Sequence, residues 1–525
     1  MCKIPYPPMI KKTPLFWILS LILIISLFFR FYNYKNFQFW TSDEEIAAAV
    51  VRRIIVEGKP ALISPNITIA TSLGPFFHLL SVPLFLASNL NPIPVLFAMG
   101  FVGILTTIMI FLTGKLVNKN LGLIASFLYA SSFVVGLFDR RWWPLSLNPL
   151  LVSCAIYSLY QIITFKKYWF CLLLAVSIGF AAHADPSLGI IALSTIFIFI
   201  FLKIPMKRKE YFGGFIVLLI FVSPLLLFEI RHPGTILNPL TQALHRGTNL
   251  NLVKPAFNLD FFTQGVSLFA RLIAVKPSNF AEIQLVSGFN ATPPLFPLFT
   301  KSLAVLFFLF PFYKLLEMRK KNLSEKKFLV LLYIFLFSFI GASLLYSLSF
   351  KRIVHQNFFS ILFPVFFLLA AYTIQKLPNK KLIISFLLIY FLVNAHSMIG
   401  SSVKYPLYQK LQVVSEISSK LDKLDFSLYV QGDEFFNGSG FTELFILANK
   451  YPKKSYIYPF YDWMYQAYSL YAIEPENKDQ EKIVIIQSSE SSTDYKNVEF
   501  STKIGGMKAL LLDNSSSWFN ESNLR

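Results

Sequence analysis

Long apolar runs separated by short polar segments fill the first 400 residues of the chain. Each run has 17 or more residues and few charges. A helix of that length crosses about 30 Å of hydrocarbon. The pattern therefore predicts a polytopic α-helical membrane protein, with apolar runs near residues 14–32, 74–92, 95–114, 121–138, 146–165, 168–184, 187–203, 211–229, 296–316, 328–349, 353–375 and 381–398.

The second run, 74–92, differs from the others because Gly74-Pro75, Pro83 and Pro92 interrupt it, and a helix interior tolerates proline poorly. Cytoplasmic loops of membrane proteins carry an excess of Lys and Arg. If this run is re-entrant or interfacial, the N-terminus and every strongly basic short loop lie on the cytoplasmic side. We therefore expect about eleven transmembrane helices in the cell (plasma or inner) membrane, a cytoplasmic N-terminus and an extracytoplasmic C-terminal domain. If the run does cross, one further crossing elsewhere in the chain would place the same basic loops on the cytoplasmic side.

From residue 401 the pattern changes to short apolar runs between polar segments, as in a small α/β domain. Residues 405–421 have helical periodicity, and three runs are typical of strands: "FSLYV" at 426–430, "KIVIIQ" at 482–487 and "KALLL" at 508–512. We therefore divide the chain into a transmembrane domain, 1–400, and an extracytoplasmic soluble domain, 401–525, packed on the outer face.

Two outer loops of the transmembrane domain are long. The first, 31–73, contains a predicted interfacial helix. The second, 230–295, is longer than most connections and has the length to cover a site.

Composition supports a membrane protein, since 55% of the 525 residues are hydrophobic and only 14% are charged, against about 25% charged in soluble domains. On the surface of a soluble protein, a formal net charge of +20 would indicate a nucleic-acid partner. However, residues 1–400 hold 35 Lys and Arg against 12 Asp and Glu, whereas residues 401–525 hold 13 against 16. The positive excess lies in membrane loops, where it sets topology. Nucleic acid is therefore not an expected partner.

Nine of the twelve acids in the transmembrane domain fall on the predicted outer side: Asp43, Glu44, Glu45, Glu57, Asp139, Asp185, Glu229, Asp260 and Glu282. Four separate spans end there at an acid, in "TSDEE", "LFDRRWWP", "AAHADPS" and "LLFEIRHPG". This convergence predicts a site at the outer membrane boundary. The alternative is that span ends simply tolerate solvated acids and aromatic residues.

The stretch "TSDEE" opens the predicted interfacial helix. Ser42 fits an N-cap with Glu45 three residues later, as in a capping box, and Pro60 fits the end. This assignment gives Glu45 a structural role and leaves Asp43 and Glu44 as catalytic candidates. A carboxylate near apolar surroundings has a raised pKa and suits a general base.

Basic residues with aromatic or His neighbours recur on the same predicted side. They fit a clamp for an anionic group such as a lipid phosphate, because the Arg guanidinium binds phosphate oxygens in pairs. Arg snorkelling within an aromatic belt is the alternative. The candidate substrate- and phosphate-binding residues are Arg140, Arg141, Trp143, His183, Arg231, His232, Arg352 and His355.

The sequence does not support a metal site or name a cofactor. His183 with Asp185 supplies two candidate ligands and lacks a third. The three cysteines have no metal-binding spacing and form no disulfide framework. A divalent metal is therefore an open alternative without a ligand set.

The first 240 residues resemble, in order, segments of the polytopic GT-C glycosyltransferases, specifically glycosyltransferase family 39 and the protein O-mannosyltransferase-like group. "SDEE" follows the first span, and "DRRWWPLSLNPLL" is similar to the family's Ser-Arg…Trp-Asn-Pro…Pro-Leu segment. "GFAAHADPSLGIIAL" resembles its His-containing stretch, and "PLLLFEIRHPG" its Phe-Glu-Leu-Arg-His segment. Later in the chain, "HQNFFSILFPVFFLLA" is the matching piece.

The resemblance implies transfer of a sugar from a polyprenyl-phosphate-linked donor to a glycan, lipid or protein acceptor on the outer face. By position, Asp43 would deprotonate the acceptor hydroxyl and Glu44 would support it. Arg140, Arg231 and Arg352 with His355 would bind the lipid phosphate. A single displacement of this kind inverts the anomeric carbon.

The sequence departs from the family pattern at two places and leaves two other functions open. Gly74-Pro75 replaces a Pro-Pro pair, and Pro144 replaces the Asn of Trp-Asn-Pro. No outer Asp-X-Asp is present, which weakens a metal-dependent mechanism. A transporter or flippase would place ionisable residues in mid-span. A non-catalytic binder of lipid-linked sugars would hold the donor without turnover.

Overall fold

The computed structural model describes residues 14–64, 72–202, 204, 208–238, 241, 259–280, 293–318, 323–350, 354–421, 426–431, 440–452, 454–456, 482–490, 495 and 498–513. Helices dominate it. They are α1 (Pro14–Phe31), α2 (Ser42–Glu57), α3 (Phe76–Ala87), α4 (Ile93–Lys115), α5 (Lys119–Ala130), α6 (Phe133–Phe138), α7 (Asn148–Phe165), α8 (Cys171–Gly179), α9 (Gly189–Leu202), α10 (Arg208–Arg231), α11 (Leu259–Ile273), α12 (Pro297–Glu317), α13 (Leu323–Phe350), α14 (Phe363–Gln375), α15 (Lys380–Gly400), α16 (Leu407–Lys420) and α17 (Phe441–Leu447).

The protein is a polytopic helical membrane protein, as the apolar pattern predicted. Within the described part, 8 helices are long and apolar enough to cross a membrane. Four further apolar helices are shorter, at Phe76–Ala87, Tyr168–Ala182, Gly189–Leu202 and Phe261–Ile273. The figure of about eleven crossings stays a prediction, since it depends on which short helices cross.

Helix α3 is the structured part of the interrupted run 74–92. It has 12 residues and contains Pro83, so its length is about 18 Å at 1.5 Å per residue. That is short of the roughly 30 Å hydrocarbon core. The re-entrant or interfacial placement of this run stays a prediction.

Helix α11 corrects the view of 230–295 as one long loop. Its sequence "LDFFTQGVSLFARLI" has no long apolar run, but its apolar residues share one face, which buries Leu268, Phe269 and Leu272. Tyr390 of α15 donates a hydrogen bond from its hydroxyl to the carbonyl oxygen of Leu272 over 3.0 Å. The helix therefore belongs to the bundle core and brings Arg271 into it.

The C-terminal residues form the expected small α/β domain. Its five strands are in the order β4-β3-β5-β7-β6, with parallel β4-β3-β5 and antiparallel β5-β7-β6 pairs. A separate parallel pair, β1 with β2, joins the chain after α11 to the start of this domain. The strands are β1 (Asn279–Phe280), β2 (Ser402–Val403), β3 (Phe426–Gln431), β4 (Lys454–Tyr456), β5 (Lys482–Ser488), β6 (Val498–Ile504) and β7 (Met507–Asp513).

The C-terminal domain and helix α2 share one hydrophobic cluster. Trp40 and Val51, from the α2 segment, are buried with Phe441 and Leu444 of α17 and with Val414 of α16. The same cluster includes Trp142, whose indole nitrogen donates to Ser81 Oγ over 3.0 Å. Helix α2 thus packs between α3 and the C-terminal domain.

Candidate functional site

The first turn of α2 sorts the three consecutive carboxylates into different roles. Thr41, with φ −127° and ψ −167°, is the N-cap. Its backbone N–H and its hydroxyl donate to Glu44 Oε2 over 2.9 and 2.7 Å. Glu44 is therefore the capping-box acid, and the assignment to Ser42 with Glu45 was wrong by one residue. The physical reason is that the extended backbone conformation of an N-cap occurs at Thr41.

Glu45 points away from this turn, to the C-terminal domain. Its Oε1 accepts a hydrogen bond of 2.8 Å from the backbone N–H of Glu443, and both side chains are buried. Glu45 thus caps α17 instead of α2. Asp43 is the member of the three that stays accessible, with 34% of its side chain exposed against 0% for Glu44.

Arg141 joins Asp43 to Glu44. Its Nε donates to Glu44 Oε1 over 2.7 Å, and its Nη2 donates to Asp43 Oδ2 over 3.0 Å. Its guanidinium also stacks on the indole of Trp143, 3.9 Å from the ring centroid. The structure therefore brings four predicted site residues together. The cation lies against the carboxylates, however, so its charge is already compensated.

The two carboxylates have opposite pKa shifts. Partial burial raises the pKa of Asp43 above its usual value, and the charge of Glu44 adds to the rise, although Arg141 and the exposed third of the side chain oppose it. For Glu44, burial would raise the pKa, but Arg141 and the two Thr41 hydrogen bonds outweigh burial and lower it. Glu44 therefore stays ionised as a structural anion. Asp43 is the better proton acceptor.

Arg140 and Asp139 turn into the protein interior. Arg140 Nη2 donates to the carbonyl oxygen of Phe29 over 2.8 Å, and its guanidinium lies 5.1 Å from the ring centroid of Phe37. Its Nε and Nη1 have no hydrogen-bond partner within the described ranges. Asp139 pairs with Arg30 over 2.6 Å. Asp139 and Arg140 are thus enclosed by the bundle. Of the three residues in "DRR", Arg141 is the one that contacts Asp43 and Glu44.

His183 is held by backbone groups. Its Nε2 lies 2.5 Å from the carbonyl oxygen of Phe221, its Nδ1 contacts the N–H of Phe76 at 3.4 Å, and its ring stacks on that of Phe76. A Cβ at Gly74 would lie 2.0 Å from the imidazole, so this position requires glycine. The ring therefore packs α3 against α10, and both of its nitrogens are engaged.

Asp185, the other member of the candidate metal pair, closes its own turn. Its Oδ1 accepts hydrogen bonds from the backbone N–H of Ser187, over 2.8 Å, and from the Ser187 hydroxyl. Burial raises its pKa to about 6. Among the residues that the structure describes, no three His, Cys, Asp or Glu side chains form a group that could hold a metal ion.

The remaining predicted residues are Arg231, His232, Arg352 and His355. Arg231 and His232, at the end of α10, are exposed, and the turn after them is closed by Glu229, which accepts from Gly234 N–H over 2.6 Å. Arg352 lies outside the described residues. His355 is exposed and precedes the 3-10 turn Gln356–Leu362.

Arg271 of α11 is a functional candidate that sequence reasoning missed. It is 1% exposed, and its Nη2 donates to Oε1 of Gln356. Its Nε and Nη1 have no hydrogen-bond partner within the described ranges. The signal in the sequence was an Arg within "SLFARLI", where the periodicity puts it beside the apolar face of an amphipathic helix.

The 3-10 turn Gln356–Leu362 connects Arg271 with the other site segments. It packs against the turns Pro144–Leu147, just after Trp143, and Pro186–Leu188, just after Asp185. The amide of Asn148 donates to Ser360 Oγ over 3.1 Å, which fixes α7 to this turn. Segments far apart in sequence therefore meet near the start of α7.

No protein-family model and no curated protein sequence matches the chain. Among solved structures, it is similar to ArnT from Cupriavidus metallidurans bound to undecaprenyl phosphate, with a TM-score of 0.62 and 10% identity over 96% of this chain and 99% of that one. The apo state of that ArnT gives a TM-score of 0.57 and 10% identity over 95% and 98% of the two chains. An Archaeoglobus fulgidus oligosaccharyltransferase, in complex with Zn and sulfate, shares less, with a TM-score of 0.49 and 14% identity over 90% and 68%. The similarity to ArnT establishes a common fold along nearly the whole chain, the expected GT-C fold.

Proposed function

We propose that this protein is a membrane glycosyltransferase that moves a hexosyl or pentosyl group from a polyprenyl-phosphate-linked donor to an acceptor hydroxyl. The ArnT structure of the same fold contains undecaprenyl phosphate, which supports a lipid-linked donor here. The proposal rests on the different surroundings of the three acids in the first turn of α2. Glu44 and Glu45 are buried and hydrogen-bonded, whereas Asp43 is accessible and has a raised pKa.

In the proposed reaction Asp43 removes the proton of the acceptor hydroxyl. The acceptor oxygen forms a bond to the anomeric carbon, and the bond from that carbon to the phosphate oxygen breaks. Polyprenyl phosphate leaves with the electron pair. A retaining route needs a second carboxylate as nucleophile. Glu44 is unsuited to that role because Thr41 and Arg141 hold both its oxygens, so inversion is the expected outcome.

The phosphate of the donor would bind, once the lipid opens a path to them, to buried Arg residues whose guanidinium nitrogens have no hydrogen-bond partner among the described residues. Arg271 and Arg140 each carry two such nitrogens, counted against the described residues. A buried cation without an anion is costly, so a bound phosphate would stabilise both sites. Developing negative charge on the leaving phosphate would be stabilised in the same way. Arg231, Arg352 and His355 remain candidates for contacts that form when the donor is bound.

The site would face the outside of the cell membrane. The basic short loops then lie in the cytoplasm with the N-terminus, as the positive-inside rule requires, and the C-terminal domain lies outside. The acceptor, a glycan, lipid or protein, would approach Asp43 from that side.

The proposal can be tested on the full-length protein in proteoliposomes with a panel of synthetic undecaprenyl-phosphate hexoses and pentoses. Release of undecaprenyl phosphate is followed by mass spectrometry, and the anomeric configuration of the product by NMR. Turnover of at least one donor with inversion is expected. Donor binding without turnover across the panel, with native cell membranes supplying acceptors, would identify a binder of lipid-linked sugars instead.

A further inference from the structure

The C-terminal domain reaches the first turn of α2 through the segment Gly440–Glu443. The indole nitrogen of Trp40 donates to the carbonyl oxygen of Gly440 over 2.8 Å. Gly440 has φ +75°, and a Cβ there would lie 2.6 Å from the Trp40 ring and 3.0 Å from the carbonyl oxygen of Thr41. Backbone therefore packs directly against the N-cap of α2, at a position that only glycine fits.

Glu443 holds α2 at two points. Its backbone N–H donates to Glu45 Oε1 over 2.8 Å. Its carboxylate accepts from Nε and Nη2 of Arg52, both over 3.0 Å, in a bidentate ion pair. Glu45 and Arg52 are seven residues apart, which is about two helical turns, so they lie on the same face of α2. One residue of the C-terminal domain thus binds the helix along about 10 Å of its length.

This contact differs from a surface ion pair. Exposed pairs contribute little because solvent screens them. The Glu443 side chain, however, is 1% exposed and that of Arg52 is 17% exposed. Breaking a buried, bidentate pair by removing one charge is strongly destabilising, because the other charge stays buried. The pair therefore restricts both the rotation and the tilt of α2.

We propose that Glu443 is a positioning residue for the reaction: it fixes the rotation of α2 and thereby the position of the Asp43 carboxylate beside Arg141. The role of Asp43 rests on the proposed function; the restraint on α2 does not. A proton acceptor must lie within hydrogen-bond reach of its substrate, and displacement by about 1 Å reduces the rate strongly. The C-terminal domain is then a structural part of the active site, because Glu443 acts on Asp43 through helix α2.

The restraint is tested by hydrogen–deuterium exchange of the full-length protein in nanodiscs, with Glu443→Gln, Arg52→Gln and the double variant. Glu443→Gln keeps side-chain size, Arg52→Gln removes the guanidinium, and both changes leave the backbone N–H of residue 443 in place to cap. We expect amides of α2 to exchange about tenfold faster in each single variant. The double variant should be no faster than either single one, since both remove the same interaction. Glu499→Gln is the control for removing one acid from the same domain, because Glu499 forms a more exposed pair with Lys482 within the sheet.

Three results would each overturn the proposal. They are exchange in α2 at the wild-type rate, multiplied effects in the double variant, and exchange accelerated equally in α4 and α14. The first excludes a restraint, the second excludes action through the pair, and the third assigns Glu443 to general stability. In the transfer assay, the single variants should lower kcat while undecaprenyl phosphate binds as in wild type. If α2 loosens as expected but Asp43→Asn transfers sugar normally, the restraint holds and the proposed function of Asp43 fails.

Discussion

Arg141 donates to Oδ2 of Asp43 over 3.0 Å, across 98 residues of sequence. The same guanidinium holds Glu44 at 2.7 Å, so one cation serves an accessible carboxylate and a buried one. This arrangement orients Asp43 while leaving its carboxylate open to a substrate. It also couples the basicity of Asp43 to the presence of Arg141.

Removal of the Arg141 charge should therefore change the pH dependence of transfer. Burial already raises the pKa of Asp43, and the cation limits that rise. The active form is the carboxylate, so activity is lost as pH falls through the pKa of Asp43. In Arg141→Gln the pKa rises further, and the acid limb of kcat/KM moves to higher pH. Arg53→Gln, which breaks the exposed pair with Glu57 on α2, should leave the acid limb of kcat/KM in place. If the acid limb does not move in Arg141→Gln, the pKa of Asp43 does not depend on Arg141.

Glu44 should contribute to stability in a pH-dependent way. Its pKa is lowered in the folded protein, so its contribution is present above its usual value of about 4.3 and is lost as pH falls through the lowered value. Glu44→Gln removes the charge from the capping box and from the buried pair with Arg141, and should cost about 3 kcal/mol or more. Thermal unfolding measured at neutral and at acidic pH checks this. The difference between wild type and variant should shrink at acidic pH, and a constant difference would show that the charge is irrelevant.

Arg271 should bind the phosphate of the lipid. In Arg271→Gln, two buried nitrogens that have no partner among the described residues are lost, and affinity for undecaprenyl phosphate should fall about tenfold or more, as expected for charge-assisted hydrogen bonds. Binding is measured by intrinsic fluorescence in detergent, with undecaprenol, which lacks the phosphate, as the ligand control. Lys276→Gln, an exposed cation after the same helix, is the protein control. Equal losses for both lipids would point to damaged packing instead of a phosphate contact.

Much of this architecture was predictable because burial in a membrane leaves long apolar runs in the sequence. Helix α11 was missed because its apolar residues occupy one face and form no such run. The α2 cap was placed one residue late because Thr41-x-x-Glu44 and Ser42-x-x-Glu45 both match a capping box. Only the backbone geometry separates them.

The site itself was predictable only in part. The outward acids pointed to α2, but the pairing of Arg141 with Asp43 depends on tertiary packing between distant segments. His183 looked like a ligand or substrate contact, whereas its ring nitrogens face backbone groups of Phe76 and Phe221. A side chain's partners over such distances cannot be read from one sequence.

Gly440 offers a test of the fit between the C-terminal domain and α2. Gly440→Ala adds a Cβ that would lie 2.6 Å from the Trp40 ring, and alanine also strains a φ of +75°. Gly58→Ala is a matched control, with φ +63° at the other end of α2 and nothing within 4 Å of the added atom. Strain alone costs about 1–2 kcal/mol at either site. The melting temperature should therefore drop further in Gly440→Ala than in Gly58→Ala. Equal drops would contradict a role for the Trp40 contact.

The most direct test of the account is Asp43→Asn, compared with Glu57→Gln on the same helix. The two acids have similar side-chain exposure, 34% and 33%. The assay measures undecaprenyl phosphate release from a donor that the wild type turns over, together with undecaprenyl phosphate binding. We predict that Asp43→Asn loses about 10²–10⁴-fold in kcat, the usual contribution of a general base, while binding and thermal stability stay near wild type and Glu57→Gln remains fully active. Transfer by Asp43→Asn at the wild-type rate would contradict the assignment of Asp43 as the base.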